Sequence, residues 1–298
     1  MNLKSIWSAL EESYGVYEEK GGAVIGRLVN EGKIPAGWGM WYPAVVLFPS
    51  ESVSAAQYMK IFPYGRLQVI DGRFAAAVQL GFLTSDSNGY RATEKGKNVT
   101  FQGLQAMTDA IAHLQPLSSD NIQRVVGYLM RLSDSSFTAP EPPSKFCLEH
   151  YRNFKSTFSN DAPLSRLFIH YFKELDFFRM DSHMAAWQIH NIEGNRWEVF
   201  SEVWLGKFNT LDKLYDELKF RGITRDEYAG ILQELVERGW IEKNEGEFQL
   251  TTEGKRIREE AEALTDNYFF APWSCLNESE LDELASLAGQ WRDGLKSS

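Results

Sequence analysis

Cysteine is scarce: Cys147 and Cys275 are the two in 298 residues. So wide a separation provides neither a disulfide framework nor a zinc-ligand spacing, and a reduced, cytoplasmic setting is expected. No apolar run approaches the ~20 residues that a membrane-spanning helix needs. The opening stretch, MNLKSIWSALEESYG, lacks the apolar core of a signal peptide. Also absent are a glycine-rich phosphate loop, a nucleophile elbow and a dinucleotide fingerprint, so the sequence names no cofactor and no metal. Positive charge is in short supply, with 31 Lys and Arg against 41 Asp and Glu, a net of −10. That balance opposes nonspecific attraction to a polyanion, yet leaves room for a local basic face.

Aromatic residues, by contrast, are plentiful. Nine Trp and nineteen Phe suit large cores or an apolar pocket, and the length allows two ordinary domains. The chain also repeats itself. GFLTSDSNGYRATEKGKNV (Gly81–Val99) lies without gaps over GWIEKNEGEFQLTTEGKRI (Gly239–Ile257), an offset of 158. Gly81 meets Gly239, Phe82 meets Trp240, Thr93 meets Thr251 and Gly96 meets Gly254. One supersecondary unit used twice is the expectation.

The second copy is the clearer one. Arg196–Gly206 predicts an amphipathic helix, Thr210 caps a second that runs through Phe220, and Thr224 starts a third. In the third helix Tyr228, Ile231, Leu232, Leu235 and Val236 form one apolar stripe, closed by Gly239. Trp240–Lys243 and Glu247–Leu250 predict a hairpin, after which Thr251 or Thr252 caps a last helix through Leu264. Helix, helix, helix, hairpin, helix is the winged-helix order. In the first copy Trp41, Tyr42 and Val45–Leu47 align with the first helix, where Pro43 is tolerable only near the start. Ser52 aligns with the Thr210 cap, and Asp86–Gly89 predicts the wing turn. Between the copies, Ser118–Leu132, Phe146–Phe158 and Ala162–Asn191 predict helices, with a Pro- and Ser-rich linker over 133–145. A polar helix is predicted over Ser279–Leu295. The expected fold is mostly helical α+β: a first winged-helix half over 1–115, a helical connector over 116–180, and a second half over 181–298.

FQLTTEGKRI resembles the Leu-Thr-x-x-Gly pattern of MarR-like winged-helix regulators; the first copy departs from it with Ala92 at the position of Leu250. DSHMAAW (Asp181–Trp187), LTTEGKRIREEAEALTDNYFFAPW (Leu250–Trp273) and the doubled layout resemble the SalK-like helix-turn-helix family. These resemblances imply the fold and a regulatory role, and no reaction.

Duplex DNA is the partner that such a fold implies, and its candidates lie in the first copy: Arg66, Arg73, Arg91, Lys95 and Lys97 face only Asp71, Asp86 and Glu94 nearby. Arg73 aligns with the stripe residue Ile231, which places it at the edge of the apolar face. The second copy carries Asp226, Glu227, Glu234 and Glu237 on its third helix and Glu242, Glu245 and Glu247 in its wing, a surface that repels phosphate. A second reading puts a small-molecule or catalytic site between the halves. Its catalytic candidates are Asp181, His183 and His190, with His183, Trp187 and His190 spaced to share a helix face. Satisfied core histidines and a capping aspartate are the plainer alternative. Trp41 and Tyr42, in the aromatic stretch GWGMWYP, join His183 and Trp187 as candidates to bind a small apolar or aromatic molecule. Cys147 with His150, and His170 with Glu174, would make a metal site only if their helices met. A docking or homodimer module is the third expectation, and no membrane partner is expected.

Overall fold

The computed structural model describes residues 2–153 and 162–296. It is mostly helical, with two short two-stranded sheets. A long helix α1 (Leu3–Asn30) precedes the first winged-helix unit: α2 (Trp38–Leu47), α3 (Ala55–Tyr58), α4 (Leu67–Gln79), β1 (Leu83–Asp86), β2 (Gly89–Ala92) and α5 (Glu94–Ile111). Then come α6 (Ser119–Thr138), α7 (Phe146–Asn153) and α8 (Leu164–Gln188). The second unit is α9 (Gly194–Trp204), α10 (Leu211–Leu218), α11 (Arg225–Glu237), β3 (Ile241–Asn244), β4 (Glu247–Leu250) and α12 (Thr252–Phe270), followed by α13 (Glu278–Lys296). Part of the helix expected over Phe146–Phe158 lies outside the described residues.

The two units correspond position by position. Helices α4 and α11 are both 13 residues long, and each ends on a glycine in the left-handed region, Gly81 at φ +74° and Gly239 at φ +71°. Leu83 pairs with Ala92, and 158 residues on Ile241 pairs with Leu250. The Thr-x-x-Gly signature has the same physical cause in both. The Thr93 hydroxyl accepts from the Gly96 amide at 3.0 Å and donates to the Gly81 carbonyl at 2.8 Å. Thr251 does the same with Gly254 at 3.0 Å and Gly239 at 2.6 Å. This tie holds the start of the last helix against the glycine that closes the third. A Cβ on Gly96 would stand 2.0 Å from the Phe82 carbonyl oxygen, and one on Gly254 would stand 1.9 Å from that of Trp240. Glycine is therefore required at both positions.

Two local expectations are corrected. Ser54, not Ser52, caps α3, in a reciprocal capping box with Gln57; the Ser52 hydroxyl instead donates to Asp86 at 3.2 Å. Val53 exchanges backbone hydrogen bonds with Tyr90 at 2.8 and 2.9 Å, adding a bridge to the wing and delaying the helix. Pro43 sits well inside α2, which starts at Trp38. It deprives the Gly39 carbonyl of its i+4 donor.

Side chains bury into two cores. One is shared by both winged-helix units and joins Trp41, Phe74 and Phe82 to Trp197, Tyr228 and Trp240. The other is a helical bundle in which α1 and α13 pack with α6, α8 and the end of α12, around Trp7, Phe168, Phe172, Trp273 and Trp291. The Trp291 indole donates to the Tyr17 hydroxyl at 3.1 Å, which donates to the Leu114 carbonyl at 3.3 Å, tying the ends of the chain together. Helix α8 runs through both cores, with Phe168, Phe172 and Phe178 in the bundle and Phe177, Met184 and Trp187 in the shared core.

Candidate functional site

The first candidate is the surface of the first unit. Arg66, the N-cap of α4, and Arg73 within it both turn toward the second unit. Arg66 pairs with Glu227 at 2.6 Å and donates to the Gly222 carbonyl at 3.4 Å. Arg73 donates to the Phe220 carbonyl at 2.8 Å. Gly222 packs so closely that a Cβ there would come within 2.1 Å of a Val69 methyl. The exposed strip of α4 is then Leu67, Gln68, Asp71, Gly72, Ala76, Gln79. It offers two amides and no cation. Positive charge emerges instead at the wing and the helix after it. Arg91 is exposed on β2. Lys95 is exposed at the start of α5, donating to the Leu80 carbonyl at 2.8 Å with its ammonium 4.5 Å from the Phe82 ring centre. Lys97 is half-buried and pairs with Glu94 at 2.9 Å.

The second candidate is the run Asp181–His190. His183, Trp187 and His190 gather around the Trp197 indole, while Asp181 lines a separate cavity of about 590 Å³ with Met59, Phe146, Met184 and Tyr268. Trp197 donates from Nε1 to Nε2 of His183 at 3.2 Å. The other ring nitrogen of His183 lies 3.3 Å from the Thr265 hydroxyl, which itself donates to the Ala261 carbonyl at 2.7 Å. That arrangement needs a neutral imidazole with its proton on Nδ1. Burial, helped by the positive charges of Arg258 and Arg179, holds the His183 pKa down to about 4. Trp187 stacks on Trp197 with ring centres 5.8 Å apart, and His190 lies parallel to it at 6.1 Å. Burial likewise lowers the His190 pKa. Asp181 points elsewhere. Its carboxylate accepts from the amides of Cys147 at 2.9 Å and Leu148 at 3.0 Å, so it caps α7 and not its own helix. Burial raises its pKa to about 6 against the pull of those amides.

Helices α7 and α8 do meet. The Cys147–His150 and His170–Glu174 pairs nevertheless have other engagements. His150 approaches the Phe146 carbonyl at 2.7 Å. Glu174 binds Arg152 at 3.1 Å and His170 at 3.0 Å, as well as the Ser133 hydroxyl. Burial drives the Cys147 thiol far above its ordinary pKa. Among the described residues no group of three or more His, Cys, Asp or Glu is placed to hold a metal ion, and no helix is long and apolar enough to cross a membrane.

The third candidate is a cavity of about 390 Å³ between the first unit and the bundle. Its wall takes Tyr14 and Glu18 from α1, Gly39, Tyr42, Pro43 and Val46 from α2, and Leu104 and Met107 from α5. Tyr58 and Phe62 close one side, and α8 supplies Arg166, Ile169, His170, Lys173, Phe177 and Met180. Of the four ligand-binding candidates, Tyr42 lines this cavity, stacked on Trp38 at 4.1 Å. Trp41 lies on Phe82 at 4.9 Å, inside the shared core. Gly39, whose carbonyl Pro43 deprives of a helical donor, is also in the wall. The α8 contribution went unseen in sequence, although Arg166, Ile169, His170 and Lys173 keep the i, i+3, i+4, i+7 spacing of a single face.

Residues 160–298 match a helix-turn-helix family. No curated protein and no solved structure matches the chain. The matched segment holds α11 and its wing, whose third helix and hairpin carry the acidic residues named above.

Proposed function

We propose that this protein is a winged-helix transcriptional regulator that binds duplex DNA through its first unit and senses a small molecule in the cavity beside that unit. The observation that carries the reading is the wing of the first unit, where Arg91 and Lys95 are exposed next to a recognition helix that presents Gln68 and Gln79. In this reading residues 1–115 and 181–298 each hold one copy of a duplicated MarR-like unit, and 116–180 completes the bundle that joins them; of the linker expected over 133–145, the part up to Thr138 is the end of α6. The layout is that of SalK-like proteins in a cytoplasmic setting. Arg91, Lys95 and Lys97 meet phosphates. Arg66 and Arg73 clamp the first recognition helix to the second unit. The acidic second unit keeps the polyanion on one side of the molecule.

Repeated selection from random-sequence duplex DNA, followed by fluorescence anisotropy across a salt series, tests this. Enrichment of a sequence is expected, and Arg91→Ala and Lys95→Ala should each lower the salt slope by about 1. Arg73→Ala should leave the slope unchanged. Failure to enrich any sequence, with affinity indifferent to salt, would overturn the regulator reading.

A further inference from the structure

The shape and charge of the cavity wall carry a statement about its occupant. The lining residues of α8 run from Arg166 to Met180 along one stripe. At 1.5 Å per residue that stripe extends roughly 21 Å, so the cavity of about 390 Å³ can hold a ligand laid lengthwise along α8. Polarity is graded along the same stripe. Arg166 and Lys173 fall in its first half, Phe177 and Met180 in its second.

Among the described residues of the wall, Arg166 and Lys173 are the cations and Glu18 is the carboxylate. Lys173 also binds Asp176, which lies outside the wall. Its ammonium sits 5.3 Å from the Tyr14 ring centre and 5.1 Å from that of Phe177, both of them wall residues. Arg166 donates to the Thr108 hydroxyl at 2.8 Å, which anchors it between α8 and α5.

We propose that the cavity takes an elongated apolar molecule with a single anionic head, of the class of medium-chain carboxylates. The head lies toward Arg166 and Lys173, and the tail runs along Phe177 and Met180. This deepens the sensing reading above and rests on it for its regulatory meaning. The occupant would press on α2, α3 and α5, and α5 starts directly after the wing that carries Arg91. Binding can be read without DNA, so the two proposals can fail separately.

The test uses the full chain and the neutral fluorophore N-phenyl-1-naphthylamine, displaced by decanoate or by 1-decanol, which has the same chain and no charge. Decanoate is expected to displace it at a concentration at least tenfold lower than decanol. Lys173→Met or Arg166→Met should shrink that gap to about twofold while decanol is unaffected, and Met107→Trp, which fills the cavity, should weaken both. An unfolding midpoint for each variant confirms that it is folded. Three results would each overturn the proposal: no fluorophore binding, equal potency of the two competitors, or a gap that survives in both charge variants.

Discussion

Gly254 supports a quantitative test of the doubled motif. In an ordinary helix, replacing glycine by alanine stabilises by about 1 kcal/mol, because the unfolded chain loses freedom. At Gly254 the new methyl would stand 1.9 Å from the Trp240 carbonyl oxygen, where a carbon and an oxygen keep about 3.3 Å. The neighbour is backbone, so no rotamer change relieves the clash, and α12 must retreat by more than an ångström. Overpacking of that kind costs about 1–3 kcal/mol. Retreat also loosens the Thr251 cap, worth about 1 kcal/mol. Set against the helix-propensity gain, Gly254→Ala should destabilise by about 2 kcal/mol. Gly230, exposed in the middle of α11 with nothing within 4 Å of its would-be Cβ, is the internal control. Gly230→Ala should stabilise by about 0.5–1 kcal/mol. A chain with two cores need not unfold in one step, so amide hydrogen exchange along α12 is the better readout. Protection there should fall roughly 30-fold in Gly254→Ala, at 1.4 kcal/mol per factor of ten. A Gly254→Ala protein as protected as wild type would refute the steric account of the motif.

Two further outcomes follow from the contacts between elements. Glu227 closes the Thr224 capping box and also pairs with Arg66; because that pair is about 40% exposed on each side, Arg66→Ala should leave the thermal midpoint nearly unchanged, whereas Glu227→Ala, which also opens the capping box, should lower it measurably. His183 is held neutral with its pKa near 4, so the unfolded chain takes up a proton first as pH falls below about 6.5, and stability declines between pH 6.5 and 4. His183→Gln should remove that contribution, so its stability deficit relative to wild type should shrink by about 3 kcal/mol across the window in pH-dependent urea titrations; a constant deficit would show that the ring does not titrate differently on folding.

The parts of the fold that could be read in advance are those where one local rule decides. The stripe Tyr228, Ile231, Leu232, Leu235 faces the core because a 3.6-residue period permits nothing else. Thr-x-x-Gly marks a helix start because the hydroxyl and the missing Cβ act within four residues. What escaped reading depends on partners far along the chain. The bundle around Trp7 and Trp291 unites the two ends of the sequence, and α1 has no meaning until α13 and α8 cover it. Asp181 was recognisable as a capping residue, but the helix that it caps lies more than thirty positions earlier. His183, Trp187 and His190 do share a neighbourhood, as their spacing suggested. What they share is Trp197, which arrives from the next helix. The fate of Arg73 is the same lesson for charge. Its alignment with Ile231 signalled the edge of a buried face, and the second unit supplies the Phe220 carbonyl that receives it. A cation count along one helix therefore overstated what that helix can offer to phosphate.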